Sequence, residues 1–224
     1  MVIVAVIFLP MIDMLNTAFV AEYKNRMNVQ AKEARENALS RMTSILKEAS
    51  RIADGPVTIK TEKGTHSISS GNMAVIAYVP VYDKYTHEVS QSGGQTEFNG
   101  FAYALIPETD YFDNGTSGKY VMVEASINTY CTPSETSDFK PDSDCVTDWS
   151  SGQTNVLFEG AMPALMPVYD SPFSLSSSND VDYDNIEVAF GVKDGIVYYP
   201  STSGTSLTED KIQSINIFCR SVTF

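Results

Sequence analysis

The chain has 224 residues, 28 of them acidic and 15 basic, for a formal charge of −13. With 43% hydrophobic and 19% charged residues it is too apolar for a disordered chain, and its length suits one domain plus an appendage. The acidity argues against nucleic acid as a partner, since phosphate binding needs clustered Lys and Arg, and two His with three Cys rule out a dense zinc framework.

The charge is unevenly placed. Through Gly55, seven basic and six acidic side chains nearly cancel, whereas the eight basic and 22 acidic ones beyond it leave a balance of −14. Two physical regimes share one chain.

Residues 1–12 carry no charge, and the apolar character continues to about Ala21. About 20 apolar residues is the length of a bilayer-spanning helix. Here Asp13, Asn16 and Thr17 interrupt the run, and Pro10 removes a backbone donor. A secretory signal peptide fits less well: there is no basic leader region and no small-residue cleavage site, and the helical pattern runs on. From Met27 the apolar positions are Met27, Ala31, Ala34, Ala38, Met42, Ile45, Ala49 and Ile52, with a mean spacing of about 3.6, the α-helical period. Asp54-Gly55-Pro56 supplies a stop signal, so the pattern predicts one helix over about residues 1–53, a rod of roughly 80 Å. Its narrow, Ala-rich C-terminal stripe suits docking onto the following domain. The first 25 residues have no such partner within the chain and require lipid or other copies of themselves.

From Val57 the helical period gives way to short β-branched and aromatic runs: Val57–Thr61, Met73–Tyr82, Gly100–Ile106, Tyr120–Ile127, Ile186–Val192, Ile196–Tyr199 and Ser214–Phe224. Asp194-Gly195 between apolar runs is a type I′ hairpin signal. Polar loops are expected at Ser90–Thr96, Asp110–Lys119, Thr132–Gln153 and Leu175–Asp184. The expected class is therefore α+β: a helical unit at 1–54, then a β-rich domain at 55–224 with an antiparallel sheet and long loops.

Cys131 and Cys145 enclose 13 residues with little to order them, and a disulfide there would stabilise by about 3 kcal/mol in an oxidising compartment. Cys219 is the alternative partner for either. Asn114-Gly115-Thr116 fits a glycosylation acceptor in a loop. Asp180, Asp182 and Asp184 begin like a calcium loop, but Asn185 and Gly191 stand where that loop needs Gly and Glu, so a solvated acidic loop is the expectation and Ca²⁺ the secondary one. Tyr78, Tyr82, Tyr85, Tyr198 and Tyr199 are read as strand packing, with a stacking face for carbohydrate as the alternative. His66 and His87 stand apart in sequence, and no phosphate loop, nucleophile elbow or His-Glu-x-x-His motif occurs. No enzymatic activity and no cofactor is expected.

An uncharged opening stretch that runs directly into a charged amphipathic helix, followed by a disulfide-bearing β domain, resembles the type IV pilin superfamily. Phe8-Leu9-Pro10-Met11-Ile12-Asp13, then Phe19, Tyr23 and Gln30-Ala31-Lys32-Glu33-Ala34-Arg35, look like the tight-adherence (Tad) pseudopilins. The segment from Glu36 to Ile52 is similar to the amphipathic half of general pseudopilin helices, so the resemblance covers residues 1–54. No leader ending in Gly stands before Met1, which implies a chain numbered from its mature terminus or written without its leader. Ala5 stands where most bacterial pilins have Glu, and by analogy Asp13 would pair with a neighbour's N-terminal ammonium.

The resemblance implies the structural subunit of an extracellular cell-surface filament. Its assembly residues would be Val2, Val4, Val6, Ile7, Phe8, Leu9, Pro10, Ile12, Asp13, Leu15 and Phe19. Its partners would be other copies of itself, an inner-membrane assembly machinery, and the bilayer before assembly. The alternatives are a membrane-anchored surface protein that binds as a monomer, and a minor pseudopilin of a secretion or pilus system.

Overall fold

The computed structural model describes residues 2–71, 73–134, 137–142, 145–163, 172–176, 185–194, 197–199 and 214–219. Within these, it describes side chains other than those of residues 2–9, 137–138, 163, 193–194 and 197–199. It has the mixed α+β architecture that the patterning predicts, with antiparallel pairing dominant.

Helix α1 runs from Val2 to Leu46, a rod of about 70 Å at 1.5 Å per residue. The strands are β1 (Arg51–Ala53), β2 (Val57–Thr61), β3 (Gly64–Ile68), β4 (Ala74–Pro80), β5 (Gln91–Ser92) and β6 (Gln95–Pro107). After the single turn α2 (Glu108–Tyr111) come β7 (Tyr120–Cys131), β8 (Pro133–Ser134), β9 (Ser137–Pro141), β10 (Asp148–Trp149) and β11 (Gln153–Pro163). The last group is β12 (Phe173–Ser176), β13 (Asn185–Val188), β14 (Phe190–Asp194), β15 (Val197–Tyr199) and β16 (Ile215–Phe218).

The helix ends seven residues before the expected stop. Lys47 still bonds back to the Thr43 carbonyl, and the next two amides tighten onto Ile45 and Leu46, three residues back. The chain then extends into β1, whose Arg51, Ile52 and Ala53 pair with Tyr78, Ala77 and Ile76 of β4. Ala49 and Ile52 are buried as expected, but not as helix. Covering the edge of a long sheet outweighs one more helical turn.

The main sheet has the order β1-β4-β6-β7-β11-β14-β15, with β5 paired to β6. Its two faces bury different partners. One packs Val75, Ala77, Tyr103, Leu105, Met122, Phe158 and Phe190 against Ala31, Ala38, Leu39, Met42 and Leu46 of the helix. Phe173, Ile186, Val188 and Ile217 of the small β12-β13-β16 sheet join this core. The opposite face packs Ile76, Tyr78, Phe98, Ala102, Ala104, Val121 and Val123 against Val57, Ile59 and Ile68 of the β10-β2-β3 sheet and against Trp149. Strand alternation generates both faces from one run of residues, as Tyr103 points to the helix and Ala102 and Ala104 away from it. Gly100 lets the indole lie on the sheet, since a Cβ there would stand 2.7 Å from Trp149 Cζ2.

Other expectations need correction, including the starts of the expected loops 110–119 and 175–184, which belong to α2 and β12. Ile186–Val192 is two strands rather than one: the chain changes sheet at the buried Ala189, whose amide donates to the Pro172 carbonyl at 2.8 Å. In the hairpin of β14 and β15, Asp194 pairs with Val197, so the connecting residues are 195–196 rather than Asp194-Gly195. Residues 132–153 are not one polar loop, because β8 pairs with β9 and β10 pairs in parallel with β2. Within the expected loop 90–96, Gln91 and Ser92 pair with Thr96 and Gln95.

Candidate functional site: a projecting helix and its fastening

Along α1, burial begins only at Met27. From Pro10 to Arg26 every side chain is exposed, including Met11, Ile12, Met14, Leu15, Phe19, Val20 and Tyr23. Met14 is 76% and Phe19 64% exposed. Successive turns of about 100° distribute these seven side chains over more than half of the helix circumference. Exposed apolar surface that is continuous rather than scattered marks a binding surface. Interspersed with it are Asp13, Asn16, Thr17, Glu22, Lys24 and Arg26, and the Thr17 hydroxyl donates to the Asp13 carbonyl at 2.7 Å. Among the described residues no helix is long and apolar enough to cross a membrane.

Of the expected assembly residues, Pro10, Ile12, Asp13, Leu15 and Phe19 thus lie on the exposed stretch. Val2, Val4, Val6, Ile7, Phe8 and Leu9 belong to the same helix, with side chains outside those described.

The other half of the helix is held by more than its Ala stripe. Arg41 forms a two-pronged ion pair with Glu124 of β7: Nη2 donates to Oε1 at 2.7 Å and Nε to Oε2. The buried Tyr103 hydroxyl donates to the same carboxylate at 2.8 Å. Glu124 is 2% exposed, whereas Arg41 keeps 54% of its side chain in water. The carboxylate holds the guanidinium proton more tightly, raising the Arg41 pKa above its ordinary value. Burial, followed by the Glu124 charge, raises the Tyr103 pKa. One turn and a half earlier, the buried Arg35 Nε donates to the Phe190 carbonyl at 2.8 Å, and its guanidinium lies 5.7 Å from the Phe190 ring centre.

Sequence reasoning missed this fastening. Its traces were Arg35 within the apolar stripe and Glu124 as the lone charge in Tyr120-Val-Met-Val-Glu-Ala, at a core-facing position.

Cys131 and Cys145 form a disulfide, with Cα atoms 4.9 Å apart, and Cys219 is buried and takes no part in it. Asn114 is exposed on a turn beside a cleft lined by Glu62, Glu108, Asp113 and Glu159. Asp180, Asp182 and Asp184 lie outside the described residues, and among the described residues no group of three His, Cys, Asp or Glu is placed to hold a metal. The side chains of Tyr198 and Tyr199 lie outside those described, and the other three tyrosines do not form one face. Tyr78 is buried against Trp149, while Tyr82 and Tyr85 are exposed, Tyr82 near Phe139 and Tyr85 near Lys84.

No family model, curated protein or solved structure matches this chain. The geometry alone therefore bears on function.

Proposed function

We propose that this chain is the structural subunit of an extracellular type IV pilus-like filament. It polymerises through its N-terminal helix, with the acidic β domain on the outer surface available for adhesion. The single observation that carries this reading is the stretch Pro10–Arg26, a helix with exposed apolar side chains on most of its circumference and no cover from the described residues of its own domain. Each large apolar side chain buried against a partner contributes about 1–3 kcal/mol, so a bundle of such helices is strongly favoured over separate rods in water.

Sister helices suit this stretch better than hydrocarbon. Asp13, Asn16, Glu22 and Lys24 need polar or charged neighbours, which copies of the same helix supply and lipid tails do not. A contact between different surfaces of identical subunits gives a helical fibre when its rotation does not close a ring. Outside it, domains carrying a balance of −14 repel one another and limit lateral clumping. The partners in this reading are a second copy of the chain, an inner-membrane assembly machinery, and the bilayer before assembly.

Scrambling residues 1–21 at constant composition tests it. A bundle core depends on the register of its side chains, so the expected result is loss of fibres. Unchanged surface display and function after the scramble would instead identify the segment as a simple membrane anchor.

A further inference from the structure

Three clefts on the described residues are lined by charged groups: Arg35, Glu36, Lys47 and Glu48 beside the helix; Arg51, Asp54 and Asp142 near the disulfide; and Glu62, Glu108, Asp113, Lys119 and Glu159 beside Asn114. A fourth differs. It has a volume of about 520 Å³, and no ionisable residue lines it in a domain with a large negative balance. Its walls are three side-chain amides, two hydroxyls, Phe101, Ile127 and Gly152.

Strand register fixes their arrangement. Phe101 of β6 lies opposite Ser126 of β7, which lies opposite Gln153 of β11, so three side chains form one rung on one face. Asn99 and Asn128, opposite each other, form the next rung about 7 Å along the strands. The Asn128 Nδ2 donates to Glu97 Oε1 at 2.8 Å and to Asn99 Oδ1 at 3.2 Å. A carboxylate only accepts, so this pairing fixes the amide orientation. Asn128 keeps its Oδ1 as an acceptor, Asn99 keeps its Nδ2 as a donor, and Gln153 contributes one of each.

We propose that this cleft binds a neutral saccharide. Adjacent sugar hydroxyls each donate and accept, which matches the acceptor on Asn128 and the donor on Asn99, its partner in the rung. The apolar C–H face of a sugar ring suits contact with Phe101. The lining residues carry no charge, and the Glu97 carboxylate behind Asn128, with the domain's negative field, disfavours anionic sugars. The site concerns the β domain and stands whether or not the helix polymerises, so its failure leaves the filament reading untouched.

Saturation-transfer NMR on the full chain, with methyl glycosides of mannose, galactose, glucose and N-acetylglucosamine as probes, tests the proposal. N-Acetylneuraminic acid and a blocked alanine peptide serve as controls. Saturable transfer from at least one neutral glycoside is expected below about 10 mM. Asn99→Ala and Asn128→Ala are each expected to weaken it about tenfold. Gln153→Glu, on an exposed side chain, provides a variant that leaves the core intact and is expected to weaken it likewise. Unchanged thermal unfolding identifies the variants that have kept their fold. The proposal is overturned by no transfer from any neutral glycoside, by transfer confined to either control, or by transfer that persists undiminished in the folded variants.

Discussion

The ion pair under the helix is asymmetric in exposure, and its two partners are expected to respond unequally to substitution. Removing Arg41 leaves Glu124, at 2% exposure, with the Tyr103 hydroxyl as its remaining side-chain hydrogen-bond partner among the described residues. Arg41→Met is therefore expected to cost about 3 kcal/mol or more in urea unfolding. Glu124→Gln leaves a guanidinium that water already reaches and retains an acceptor for Tyr103, so the expected loss is about 1 kcal/mol. Equal losses would show that the carboxylate is better solvated than its burial implies. Tyr78 gives a second test. Burial is the main cause that pushes its phenol up to about 12 from an ordinary 10.0. Because the fold favours the neutral phenol, this stabilisation is complete below pH 10 and is lost as pH rises through about 12. Ultraviolet titration of phenolate is expected to show exposed tyrosines ionising first, with Tyr78 and Tyr103 lagging; a single common transition in the folded protein would contradict this.

Among the elements, those with a clear period were legible and those with an interrupted one were not. Val57–Thr61 alternates cleanly, and its expected limits match β2. By contrast, β11 shifts register between Val156 and Phe158 and again between Glu159 and Ala161, which destroys a period of two along a strand central to the sheet. Strand β3 is polar because it lies on the edge of its sheet, with Ile68 its one buried residue. The helix end was misplaced because Ala49 and Ile52 satisfy both the helical stripe and the strand that covers β4. The exposed half of α1 was legible for a complementary reason: nothing in the later sequence offered it a matching surface. Phe19→Asp, on a side chain that touches no core, is expected to abolish fibres while changing unfolding stability by less than about 0.5 kcal/mol. Assembly at the wild-type level would remove Phe19 from the contact. The disulfide belongs to the same scale, since it closes the segment containing β8 and β9. Replacing both Cys131 and Cys145 with Ser is expected to lower stability by about 3 kcal/mol, read as a lower urea midpoint. An unchanged midpoint would mean that the pairing of β8 with β9 orders this segment unaided.

For the whole molecule, the division of charge noted at Gly55 becomes a division of labour. The nearly neutral rod exposes apolar surface over residues 10–26, while the acidic domain buries two cores. Arg35 and Arg41 join the two, through hydrogen bonds to Phe190 and Glu124 of the sheet. On the proposed filament reading, residues 10–26 are shielded by sister subunits. The most direct measurement is electron microscopy of the full chain after detergent is removed, with helical reconstruction of what forms. The expected result is fibres with bundled α-helix along the axis and β domains outside. A monodisperse monomer that stays soluble with residues 1–26 intact would contradict it.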